Sequence, residues 1–191
     1  MKLFIQAIHY QSIKANMNVD KPLVNRVAAS GIITINLEDY FPKEEVLSFD
    51  LKDYLFMELI LKEKDFRAAL KVHDWTQYEG KHLCVFCSTD AIIPTWAYML
   101  VTVYAAPFVK NIVQTDKATF YKIYYQNVLS KVDASQFEDK RIVIKGCSDQ
   151  PVPISAYMDL TKQLRPFAKS IMFGEPCSTV PLYKKPRVRK K

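Results

Sequence analysis

The sequence predicts an α/β fold: a mostly parallel sheet with core order 2-1-3-4, flavodoxin-like, helices on both faces and an irregular N-terminal αβ cap. Three observations predict it. Short apolar runs rich in strand formers alternate with longer stretches of helical spacing through the second half of the chain. An apolar content of 49% and a charged content of 25% are those of a globular protein and exclude wholesale disorder. The length, 191 residues, suffices for one domain with a sizeable core.

Taken in chain order, the first half is less regular. "PLVNRVAAS" (22–30) reads as helix, and Gly31 ends it. "GIITINLEDYF" (31–41) reads as a strand. "DLKDYLFMELILKEKDFRAALKVHDW" (50–75) holds one or two helices. These pieces cap the sheet or add an edge strand. The second half alternates cleanly. "HLCVFCS" (82–88) is a strand, and "PTWAYMLVTVYAAPF" (94–108) is too long for one, with Pro94 suited to a first helical position. "VKNIVQT" (109–115) is a strand. Asp116 can cap the helix "KATFYKIYYQNVLSKV" (117–132), where Phe120, Ile123, Tyr124, Val128 and Leu129 follow helical spacing. "KRIVIKG" (140–146) is a strand, "ISAYMDLTKQLRPFA" (154–168) a helix ended near Pro166, and "KSIMFGE" (169–175) the last strand. Strands joined by helical crossovers imply parallel pairing with right-handed connections.

The net charge of +7 is concentrated at the ends. The tail 184–191 holds six Lys or Arg and no acid, and residues 1–16 hold two Lys and no acid. The body, 17–183, therefore carries 27 − 8 = 19 basic against 20 acidic residues, a net of −1. No basic face and no nucleic-acid partner is expected for the body; the tail reads as a solvated, disordered terminus that could touch RNA, an acidic protein or lipid headgroups. Residues 1–16 read as a disordered extension, and 17–183 as a single α/β domain. No apolar run is long enough to span a bilayer, and the N-terminus lacks the pattern of a secretory signal. Four cysteines in such a chain point to reduced thiols in the cytoplasm.

Three of those cysteines begin the same corner: "CSTDAIIP" at Cys87, "CSDQPVP" at Cys147 and "CSTVP" at Cys177. Each falls at or just beyond the carboxyl end of an expected parallel strand, where open α/β sheets bind ligands. With the strands adjacent in one sheet, roughly 4.8 Å apart, the three thiols would converge. Ser88, Ser148 and Ser178 would cap helix N-termini or hold free backbone N–H groups in the turns. Converging thiolates call for a cation, and sulfur-rich ligation selects zinc, copper(I) or an iron–sulfur cluster. Asp90 is the nearest fourth ligand, with Asp149 and Glu175 weaker ones. Packing is the competing reading, since cysteine is among the most buried residues. Cys84 and Cys87 form a C-x-x-C, but positions three apart on a strand face opposite sides, so Cys84 reads as core.

Other chemistry is thin. His82 begins its strand at the edge away from the cysteines. His73 ends a helix and could pair with its C-terminal dipole. His9 lies in the extension. Four glycines make neither a P-loop nor a dinucleotide fingerprint. The carboxylate pairs Glu38/Asp39 and Asp50/Asp53 read as solvated, and Trp96, Tyr98, Tyr124 and Tyr125 as core.

"LVNRVAASGIITINLEDYF", "LKEKDFRAAL", "CSTDAIIPTWAYML", "IKGCSDQPVPISAY" and "AKSIMFGEPCSTVPLYK" resemble an uncharacterised bacterial family found in Bacteroidetes, domain of unknown function 2480, over about Val19 to Lys184. The resemblance implies a cytoplasmic bacterial protein and transfers no activity. It also carries an association with genes for iron–sulfur cluster assembly, which favours a cluster, or its assembly machinery as partner, over zinc.

The leading expectation is thus a metal or iron–sulfur centre held by Cys87, Cys147 and Cys177, with Asp90 completing or gating it. A second is a thiol-dependent enzyme for sulfur or acyl transfer using Cys147 or Cys87, Gly146 allowing close approach by a substrate. The third is a non-catalytic interaction module in which the cysteines are core and the basic tail, 184–191, does the binding. No oligomeric state follows from the sequence.

Overall fold

The computed structural model describes residues 31–175 and 178–186. The expected helix at 22–30, the extension 1–16, Cys177 and most of the basic tail lie outside them. From Ile32 onward the elements belong to one compact unit.

The first half resolves into short pieces. β1 (Ile32–Ile35) runs into a single 3-10 turn, Leu37–Tyr40, and β2 (Val46–Asp50) runs into another, Leu51–Tyr54. An Asx residue leads each turn: Asn36 accepts from the Glu38 N–H and Asp50 from the Lys52 N–H. That local bond is why "NLEDY" and "DLKDY" leave the strand and coil. β3 (Leu55–Phe56) and β4 (Ile60–Leu61) form a small antiparallel hairpin, not helix. α1 (Glu63–Val72) follows, with Glu63 and Asp65 in its first turn and Lys71 in its last, matched to the helix dipole. The remaining elements fall where periodicity places them: β5 (His82–Phe86), α2 (Thr95–Ala105), β6 (Asn111–Gln114), α3 (Lys117–Leu129), β7 (Arg141–Ile144), α4 (Ile154–Leu164) and β8 (Ser170–Glu175). β8 is not the last strand. β9 (Ser178–Lys184) returns antiparallel to it.

The α/β class holds, with parallel pairing, but the strands form two larger sheets rather than one of order 2-1-3-4. β1-β7-β8-β9 make one and β2-β5-β6 the other. Each early strand is the edge of a different sheet.

The two sheets are copies of one design. Shifting by 59 residues carries α2 onto α4 end for end, and the 3-10 turn Trp75–Tyr78 onto Ala134–Phe137. It also carries the start of β5 onto that of β7 and the start of β6 onto that of β8. A shift of 14 carries Val46 and the turn Leu51–Tyr54 back onto Ile32 and Leu37–Tyr40. The registers then coincide: Val46 pairs His82, which pairs Asn111, as Ile32 pairs Arg141, which pairs Ser170. The side chains repeat as well. Asp74 and Asp133 each hold the backbone N–H and hydroxyl two residues on, from Thr76 and Ser135. Thr102 and Thr161 each donate to the carbonyl of a tyrosine one turn earlier. Gly80 and Asp139 both take positive φ, 69° and 53°, at the same turn. One copy, from β2 to β6, is inserted into the other between β1 and α3.

Burial follows. Phe49, Leu83 and Val85 of the β2-β5-β6 sheet pack with Phe66 and Leu70 of α1 and Ala97, Val101 and Ala105 of α2. Ile35, Ile142, Ile144 and Ile171 pack with Tyr125 and Leu129 of α3 and Ala156, Leu160 and Leu164 of α4. Phe66 and Leu70 correspond to Tyr125 and Leu129 under the same shift. α3 has a second duty, its Phe120 packing on Val46 and Cys84 from the far face of the other sheet.

Candidate functional site

The repeated corner has a structural origin. Cys87 follows β5 and Cys147 follows β7, the middle strands of the two copies, in equivalent loops between strand and helix, but the 59-residue shift carries Cys87 onto Gly146 and Ser88 onto Cys147. The premise that these two cysteines follow neighbouring strands of one sheet is not met. Among the described residues no group of three or more His, Cys, Asp and Glu side chains is placed to hold a metal ion. Cys177, the third expected ligand, lies outside them. Ser178 opens β9 as a strand residue.

Each corner is pinned to a carboxylate from its copy's first strand or turn. At the first, the Ser88 N–H donates to Asp50 Oδ1 at 3.0 Å, while half-buried Cys87 places Sγ 3.3 Å from Thr89 Oγ1. Burial works against the Asp50 carboxylate, yet hydrogen bonds from Ser88 and Lys52 carry its pKa below the ordinary value. At the second, Glu38 Oε1 accepts from the backbone N–H groups of Asp149 and Gln150, the latter at 3.0 Å. Ser148 Oγ lies 2.9 Å from the same oxygen and 2.8 Å from the Gln150 carbonyl, two acceptors for one proton. The Ser148 hydroxyl first, then these amides, hold the Glu38 pKa low. The serines therefore fix loops; the helix N-caps are Pro94 and Pro153, without side-chain bonds. Gly146 is also structural. A Cβ there would come within 3.0 Å of the Phe173 ring and 3.2 Å of Gly174 Cα, so the close approach is by β8 and not by a substrate.

Cys147 is exposed, and Cys84 is fully buried, its pKa pushed up to about 11 by burial. A tyrosine from the following helix attends each corner at equivalent positions, Tyr98 and Tyr157. Burial raises both pKa values, with Cys87 adding to the first, and Glu38 and Cys147 to the second.

Neither histidine among the described residues serves these thiols. His73 caps α1 at its C-terminus, but its ring sits between Tyr54 OH at 3.3 Å and Tyr78 OH at 3.1 Å, edge-on to Phe49. His82 starts β5, at the opposite end from Cys87. It is 5% exposed against Phe120 and Tyr124, and no hydrogen-bond partner reaches its ring nitrogens; Glu44 stands 3.6 Å away.

Asp90 faces different company. It lines a shallow hollow of about 430 Å³ with Leu59, Ile60, Leu61, Ala91, Ile92 and Pro94. This hollow joins the β3–β4 hairpin to the loop entering α2, and the surface around it is unusually apolar. Residues 91–109 carry no charge. On α2, Ala97, Val101 and Ala105 point inward, whereas Thr95, Met99, Thr102 and Val103 face solvent. Ile92 is 93% exposed, Val103 69% and Met99 64%. The hairpin adds Met57 at 75% and Leu59 at 64%. The duplicate shows what a solvated version looks like. In α4 and its C-cap the positions of Leu100, Val103 and Ala106 are Asp159, Lys162 and Arg165. A helix without charge on any side is ordinarily buried all round. The uncharged stretch is legible in the sequence, where its residues pass as core.

Elsewhere, a hollow of about 650 Å³ gathers Arg141, Lys169, Lys184 and Lys185 beside Met172 and Tyr183, where the basic tail departs. No helix among the described residues is long and apolar enough to cross a membrane. Residues 21–185 match the family described as "Protein of unknown function (DUF2480)", and the chain belongs to that family. No curated protein and no solved structure matches it.

Proposed function

We propose that this member of the DUF2480 family is a non-catalytic interaction module. Its binding face is the outer side of α2 with the β3–β4 hairpin. The observation that carries this reading is the solvent exposure of Ile92, Met99 and Val103 within a run of nineteen uncharged residues. Exposed apolar patches of that kind mark association surfaces. The chemistry-bearing residues support it by being otherwise engaged: Asp50, Glu38, Ser88 and Ser148 hold loops, and His73 and His82 are packed among aromatic rings. A shared metal or iron–sulfur centre is not proposed, because the strands that would bring Cys87 and Cys147 together lie in separate sheets.

Cells that depend on this protein test the reading. Met99→Glu and Val103→Glu are expected to abolish its function, and Cys87→Ser/Cys147→Ser/Cys177→Ser to preserve it. The reverse outcome would transfer the function to the thiols.

A second reading rests on one observation: Cys147 is exposed on a loop that Glu38 fixes, beside Tyr157. Fixed geometry suits a working nucleophile. It requires iodoacetamide near neutral pH to label Cys147 far faster than a free cysteine in the urea-unfolded chain. Labelling no faster than that reference removes it.

A further inference from the structure

We infer that the apolar face of α2 is a twofold interface and that its occupant is a second copy of this chain. The inference rests on the interaction-module reading and names the partner. A twofold interface sets one patch against itself, so the patch must be self-complementary in charge and in relief. A patch with a net charge meets its own like charge; residues 91–109 have none to oppose. In relief, the surface carries a ridge and a hollow. Met99 and Val103 project from α2, whose N-cap Pro94 lines the hollow of about 430 Å³ together with Leu59, Ile60 and Ile92. Spacing of four residues from Thr95 through Met99 to Val103 puts these side chains in one ridge, the geometry by which two helices pack.

Met57, Leu59, Ile60, Ile92, Met99 and Val103 are each 60–93% exposed, and with the polar rim they offer area on the scale of a stable interface, roughly 800 Å² per partner. The rim is polar and of both signs, as interface rims are: Arg67 lies over Trp96 at 5.9 Å, Lys52 pairs with Glu58, and Asp90 borders the hollow. The duplication supplies the internal control. α4 has the same length, the same inward Ala156 and the same outward Met158, but Lys162 stands in its ridge where α2 has Val103, and Arg165 follows at the C-cap. Only one of two otherwise matched helices has been kept free of charge on its solvent side.

Sedimentation equilibrium of the full chain tests this. The expected result is a mass twice the 22.1 kDa of one chain, dissociating in the micromolar range or below. Val103→Glu is expected to weaken association at least about 100-fold with unchanged circular dichroism, and Met158→Glu on α4 to leave it intact. Ile92→Asp, at a side chain 93% exposed, should act like Val103→Glu and decides the matter if the latter fails to fold. A wild-type chain that stays monomeric at about 100 μM overturns the second copy as occupant, while the cell test of Met99→Glu still stands or falls by itself. A dimer indifferent to both Ile92→Asp and Val103→Glu overturns the face.

Discussion

Gly146 shows how little room the second corner has. Any side chain there meets the Phe173 ring at 3.0 Å and the β8 backbone at 3.2 Å. Gly146→Ala should therefore destabilise by about 1–3 kcal/mol through overpacking. A urea titration would show this as a lower midpoint at unchanged slope. Glu38, by contrast, acts on the loop and not on the core. Its carboxylate gathers the N–H groups of Asp149 and Gln150 and the Ser148 hydroxyl. Because its pKa is lowered in the folded state, the clamp is fully in force above the ordinary value of 4.5 and is lost as pH falls through the folded value. Glu38→Ala should accordingly raise hydrogen exchange at Asp149 and Gln150, with no change at Ser88, which answers to Asp50. Exchange unchanged at all three would show that the loop holds itself.

At the scale of elements, the β3–β4 hairpin pays a conformational cost for an exposed tip. Met57 and Glu58 take φ of 51° and 58°, the pair of positive angles a type I′ turn demands, and Leu59 N–H closes the turn on Phe56 O at 3.2 Å. Asn-Gly suits such a turn and Met-Glu does not. Leaving the left-handed region to non-glycine residues costs roughly 1–2 kcal/mol each, against about 0.5–1 kcal/mol of added unfolded-state entropy for a glycine. Met57→Asn/Glu58→Gly should thus stabilise the monomer by about 1 kcal/mol or somewhat more. An unchanged or lower melting temperature would mean that Met57 contributes contacts its exposure conceals. The hairpin also marks where sequence reading stops. From β5 to β8 the elements were legible, because strand-length and helix-length apolar runs alternate there. "YLFMELIL" has no such contrast and passes for helix. α3 misleads for another reason: it packs on two sides. Phe120 meets one sheet, Tyr125 and Leu129 the other, and Ile123, expected inward, is 39% exposed. A helix with two buried sides loses a single apolar stripe. Strand order was not legible at all, since alternation identifies a strand without naming its neighbour. The 59-residue shift was there to be read, in D-x-x-Q, P-x-x-A-Y-M and P-F-x-K. It puts Cys87 and Cys147 beyond equivalent strands of different sheets, one residue out of register with each other, and not as partners.

For the molecule as a whole, nesting one copy inside the other makes α3 common property. It belongs by sequence to the β1-β7-β8 copy, yet Phe120 and Tyr124 close over Val46, Cys84 and His82 of the other. Neither sheet keeps its cover if α3 leaves, so the described unit should unfold in one transition, with calorimetric and van't Hoff enthalpies equal. His82 makes that seam sensitive to acid. Burial lowers its pKa below 6.5; Glu44 opposes this from 3.6 Å, but Lys110 already binds Glu44 and itself disfavours the imidazolium. A histidine of lowered pKa takes up its proton more readily when unfolded. Its effect is absent above pH 6.5 and grows as a loss of stability while pH falls from there to the folded value. His73, also lowered by burial, acts in the same direction from the aromatic cluster of the other face. Urea midpoints should therefore be level above pH 6.5 and decline toward pH 5. His82→Phe, which fills the same space among Phe120 and Tyr124 without a proton to bind, should flatten part of that decline and leave the share due to His73. A decline of the same steepness in His82→Phe would mean that water reaches the ring in solution and that the seam between the copies is looser than its packing indicates.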